Sequence, residues 1–150
     1  MQPHEIKPDT QLVTIIGVNA QTGLRRRYFN KILKHYAINA TAIALNIKEE
    51  QFDFVMLNVT KSKVTRVIIE SEFAKAVKKY IQDDNQSCNI DFIEVKKSEI
   101  LGFCLEEEIK LLFDNPNFID ENTLEVAKMM KIASSWFDTP FDLDLIPIIL

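Results

Sequence analysis

At 150 residues, with 47% hydrophobic and 27% charged side chains, the sequence reads as one soluble globular domain with room for a sizeable core. Three glycines argue against a glycine-rich phosphate cradle, and no apolar run approaches the roughly 20 residues of a membrane span. The net charge of −4 argues against a general nucleic-acid binder, so neither nucleic acid nor membrane is an expected partner.

The N-terminus, MQPHEIKP, lacks the charged start and apolar centre of a signal peptide, and residues 1–10 read as a tail before a single domain over 11–150. QLVTIIG (11–17) is a β-rich run closed by Gly17 and predicts a strand. A helix follows, with Thr22 as a candidate N-cap and with Leu24, Tyr28, Ile32, Leu33 and Tyr36 on one face. Arg25, Arg26, Lys31, Lys34 and His35 fall mostly on the other side, within a stretch (25–35) that has no acidic residue. TAIALNI (41–47) and FVMLNVT (54–60) read as the second and third strands, and residues 12–47 form a βαβ unit. The link between those two strands, KEEQFD, is too short for a helical crossover.

Residues 61–82 are ambiguous at first, because VTRVII is β-branched, and become helical from Ser71 with Phe73, Val77, Tyr80 and Ile81 on one stripe. IDFIEV and EILGF, joined by KKS, predict a β-hairpin. EEEIKLLF starts a helix whose glutamates suit its N-terminus, and NPN (115–117) breaks it. A last helix spans about Glu121 to Phe137, with Leu124, Ala127, Met130, Ala133 and Phe137 inward. The apolar tail FDLDLIPIIL packs back on the domain or onto a partner. Cys88 and Cys104 have no metal-like spacing and read as reduced thiols, which implies a cytoplasmic setting. His4 falls in a frayed terminus and His35 on a basic helix face. Neither has a Ser or Cys partner for nucleophilic catalysis.

The ordered series IIGVNAQTGLRRRYFN, LNVTKSKV, ILGFCLEEEI and TLEVAKMMKIASSWF resembles the shikimate dehydrogenase family: its substrate-binding domain plus the closing C-terminal helix. That family's motifs read GNPxxHSxSP, NVTxPxK, GxNTDGxG and GxxMLxxQAxxxFxxW. The resemblance implies an α/β fold, a three-layer α/β/α sandwich on a mixed, mostly parallel sheet. It also implies two departures. The nucleotide-binding domain should fall between Phe113 and Thr123, where only DNPNFIDEN stands; nine residues cannot form a βαβ half, and no GxGxxG occurs. By the same alignment the substrate-binding serines fall at Gly23 and Arg25, the catalytic lysine at Val64, and the Asn-Thr-Asp run at Cys104, Leu105 and Glu106. The closing-helix glutamine falls at Lys128 and, more loosely, the hairpin asparagine near Phe92, while Asn30, Asn58 and Thr60 are kept.

Proton transfer needs a titratable group within about 2.6–3.2 Å of the reacting atom, and Val64 supplies none. The sequence therefore points to a non-catalytic pseudoenzyme without cofactor or metal. It would bind a small anion or an acidic peptide or protein segment through Arg25, Asn58, Thr60, Lys61, Lys63 and Lys128. An accessory place in a biosynthetic pathway, as a homodimer or in a complex, fits this reading. The alternatives are a solvated helix face and polar turn with no ligand, a lyase or isomerase acting on a cyclic or keto acid through Lys61 or Lys63, and a separate chain supplying the nucleotide-binding domain.

Overall fold

A computed structural model describes residues 6–81 and 88–150. The expected frayed terminus with His4 and the end of the helical stretch at residue 82 lie outside the described residues. The structure divides into two compact units. One comprises Gly23–Ala42, Leu105–Leu150 and the chain up to Gln11; the other comprises Leu12–Thr22 and Ile43–Cys104.

A sheet of five strands has the order β2-β1-β3-β4-β5, and the second unit holds β3, β4 and β5 whole. The five strands are β1 (Gln11–Gly17), β2 (Ala40–Asn46), β3 (Arg66–Ile69), β4 (Phe92–Lys96) and β5 (Glu99–Phe103). β1 and β3 run parallel, with Ile15 opposite Ile68 and Ile16 opposite Ile69. β2 flanks β1, its ends tied by Gln11 N–H to Asn39 O at 3.1 Å and Ile47 N–H to Gly17 O at 2.9 Å, so these two strands also run the same way. β4 and β5 form the expected hairpin, antiparallel to their neighbours, with Phe92 stacked on Phe103 at 4.6 Å. The sheet is mixed and the fold class is α/β, as expected.

LNVT corrects the reading made from sequence. Residues 54–60 are not a strand: Phe52–Val59 is a helix, α2, entered through a 3₁₀ turn at Glu49–Gln51. Phe52, Met56 and Val59 are its buried residues, and their spacing of four and three is helical, not alternating. Asp53 and Asn58 are also poor strand formers. With α2 as the crossover and the β-branched RVII as the third strand, the short link KEEQFD is no longer anomalous. Ile16, Val67, Ile69, Ile93, Val95 and Ile100 project from one face of the sheet into a core with the buried side of α2, Phe73 and Val77. The stretch after Ser71 is wound as 3₁₀ segments, Ser71–Phe73 and Ala76–Tyr80, and Phe73 stacks on Phe52 at 4.5 Å.

Cys88 and Cys104 are joined in a disulfide, with Cα atoms 6.2 Å apart. The expectation of reduced thiols is overturned, and the argument it gave for a cytoplasmic setting falls with it. Among the described residues no helix is long and apolar enough to cross a membrane.

The first unit is helical: α1 (Leu24–His35), α3 (Glu106–Lys110), α4 (Glu121–Phe137) and α5 (Ile146–Ile149). Gly23, not Thr22, is the N-cap of α1. The buried face of α1 is Arg25, Tyr28, Phe29, Ile32 and Leu33, so Leu24 is exposed and an arginine lies in the apolar stripe. α4 is buried nearly all round, from Leu124 to Trp136, as suits a helix packed on several sides. Phe137, expected inward, is only partly buried. Trp136 meets Phe29 edge-on at 6.3 Å. The tail packs back, with Leu145, Ile146 and Ile149 buried and the Lys31 ammonium donating to Ile149 O at 3.1 Å.

Candidate functional site

Arg25 and Lys128, assigned by the sequence to one anion site, do meet, in the helical unit. Arg25 leaves the first turn of α1 with only 4% of its side chain exposed. Its Nε donates to Glu125 Oε2 at 2.6 Å and its Nη2 to Glu125 Oε1 at 3.1 Å, a bidentate fork. Lys128 lies one helical turn on from Glu125, also buried, with Nζ 3.8 Å from Glu125 Oε1 and 3.5 Å from Glu106 Oε1. Lys110 approaches the other oxygen of Glu106 at 3.5 Å. Cations thus alternate with carboxylates along Arg25, Glu125, Lys128, Glu106 and Lys110. The carboxylate that Arg25 was expected to hold is one of the chain's own. An arginine does not give up its proton at physiological pH, so the fork binds and orients rather than transferring protons.

Asn58, Thr60, Lys61 and Lys63 lie together in the sheet unit, at the end of α2 and in the turn before β3. Asn58 is on the outer side of α2, and its Nδ2 donates to Phe54 O at 2.7 Å. Thr60 is the half-buried C-cap, and Lys61 and Lys63 are exposed. LNVT is thus the last turn of a helix, not a strand end facing a ligand. Asn30 is spent on the backbone: Ala42 N–H donates to its Oδ1 at 2.8 Å and its Nδ2 donates to Ala42 O at 3.2 Å.

The carboxyl end of β3 carries Glu70, Ser71 and Glu72. Glu72 accepts from Val18 N–H at 2.7 Å, and Asn46 Oδ1 from Gln21 N–H at 3.0 Å, which pins the loop after β1 at the strand ends. Gly17 leaves room there, since a Cβ on it would come within 2.5 Å of Glu70 Cγ. In open α/β sheets ligands favour this end, where successive connections leave in opposite directions. Its side chains here are acidic. The sequence reading missed Glu72 because it placed the third strand too early. It also missed the joint role of Glu125, although the three-residue spacing to Lys128 marked that pair. Among the described residues no three His, Cys, Asp or Glu side chains gather as a metal site.

No protein-family model matches the chain, and no curated protein matches its sequence. Solved structures do match its fold. The shikimate dehydrogenase of Aquifex aeolicus superposes with a TM-score of 0.61 at 18% identity, over 77% of this chain and 44% of that enzyme. A shikimate dehydrogenase solved with NADP+ gives 0.62 at 10% identity, over 91% of this chain and 60% of its own. The 5-ketofructose reductase of Gluconobacter sp. strain CHM43 gives 0.59 at 9% identity, over 90% and 61%. The chain therefore carries a shikimate dehydrogenase-like α/β fold, and spans less than two thirds of the length of the enzymes that share it.

Proposed function

We propose that this chain is a non-catalytic binding or scaffold domain derived from a shikimate dehydrogenase, taking a small anion or an acidic peptide or protein segment. The observation that carries the reading is the buried fork of Arg25 on Glu125 beside Lys128, two cations already holding a carboxylate. The exposed Asn58, Lys61 and Lys63, with the half-buried Thr60, offer a second contact for an acidic protein segment. Two features speak for binding over catalysis. α3 and α4 are joined by residues 111–120 alone, which leaves no strand, glycine-rich turn and helix for a dinucleotide. Lys61 and Lys63 are exposed, whereas a Schiff-base lysine is commonly activated in a desolvated pocket, which supports a lyase or isomerase less.

Calorimetric titration with inorganic phosphate and with citrate tests the reading. Glu125→Gln removes the charge that competes for Arg25 and Lys128 and is expected to tighten anion binding about tenfold, while Arg25→Met weakens it by a similar factor. Binding unchanged in both variants would sink the assignment.

A further inference from the structure

α2 hides one side and displays the other. Outward lie Phe54, Leu57 and Asn58, followed one turn later by Lys61, the i, i+3, i+4, i+7 spacing of a continuous stripe. Phe54 is 72% exposed and Leu57 64%. Lys63 continues the basic end, while Asp53 on the same helix is engaged by Lys79 at 2.7 Å and by the Tyr80 hydroxyl. A second surface has the opposite character. Along α3 and the segment after it, Glu107, Glu108 and Asp114 are exposed, as are Leu111 and Phe118, to 85% and 87%. Each surface joins large exposed apolar side chains to unlike charge: Lys61 and Lys63 at the end of α2, and Glu107, Glu108 and Asp114 on and after α3, where Lys110 is paired with Glu106. Apolar area supplies the attraction and the charges fix the partner.

We propose that the α2 stripe of one copy docks on the acidic α3 surface of a second copy. This deepens the binding-domain reading by naming the acidic protein segment, and it rests on that reading at Lys61 and Lys63 but not at Arg25 or Lys128. Because the two patches differ, the contact is head-to-tail, and each added copy presents the same pair of patches again.

Sedimentation equilibrium of the full chain across a concentration series tests it, with Leu57→Glu and Leu111→Lys as exposed-site variants whose folding is checked by circular dichroism. The wild type is expected to exceed its 17.3 kDa monomer mass and to dissociate as salt rises. Each variant alone self-associates about tenfold more weakly, and the two mixed form a one-to-one dimer that grows no further. Lys61→Glu and Glu108→Lys repeat the test should either leucine variant misfold. A wild type monomeric at every concentration overturns the proposal, as does association that neither variant weakens or that mixing fails to restore. A monomer that still binds phosphate through Arg25 removes this proposal and leaves the anion site in place.

Discussion

Arg25 fills a position on α1 that an apolar side chain would ordinarily take, between the lead-in and Tyr28, Phe29 and Ile32. A buried guanidinium is tolerated there because Glu125 meets it with both oxygens. Removing one partner of a buried pair typically costs about 3–5 kcal/mol, because the other charge stays buried. Glu125→Leu takes the carboxylate from between two buried cations and should destabilise the fold by that amount in urea. The double variant Arg25→Met/Glu125→Leu should recover much of the loss, since the two sites are coupled. Additive losses would show that the fork contributes nothing as a pair. Asp120 tests a different residue-scale effect. It caps α4, accepting from Thr123 N–H at 2.8 Å and from the Thr123 hydroxyl at 2.8 Å. The Thr123 backbone bond, then the hydroxyl bond, hold its carboxyl below the ordinary value. A depressed folded-state value means the cap stabilises above the ordinary carboxylate range and fades as pH falls through the lowered one. Melting temperatures of wild type and Asp120→Ala should therefore differ at neutral pH and converge in acid, while Asp120→Asn, whose cap does not titrate, should lie close to wild type at neutral pH and keep its margin over Asp120→Ala in acid. At this scale the Glu125–Lys128 pair was legible from helical spacing, but Arg25 meeting Glu125 was not, because their contact spans a sequence separation of 100.

At the scale of elements, β1, α1, β2, the hairpin and α4 follow from periodicity and lie where the pattern places them. α2 does not, because eight residues, FDFVMLNV, hold too few turns to separate a helical stripe from strand alternation by inspection. Met56, 1% exposed in the inward stripe, should cost about 2–5 kcal/mol as Met56→Ala, whereas Leu57→Ala on the outer side should cost little. An alternating strand would also bury every second residue, so near-equal costs at Met56 and Phe54 would contradict the helix. The disulfide was illegible because pairing is set by the hairpin bringing Cys104 to Cys88, not by their spacing. A cross-link at a sequence separation of 16 contributes about 3 kcal/mol. Cys104→Ser should thus lower the melting temperature by about 6–12 °C, and reduction of the wild type with a dithiol should do the same. An unchanged melting temperature would mean the bridge does not stabilise the hairpin.

For the molecule as a whole, the fold is shikimate dehydrogenase-like. By the resemblance read from sequence, Gly23, Arg25 and Val64 stand where that family carries two serines and a lysine. Arg25 and Lys128 reach one carboxylate, Glu125, whereas LNVT is helical and not a strand end. Under the proposed function this chain binds and does not reduce. The most direct measurement is NADPH formation by the purified chain supplied with shikimate and NADP+, followed by absorbance. No shikimate-dependent NADPH is expected at any enzyme concentration; turnover that rises in proportion to added protein would contradict the account.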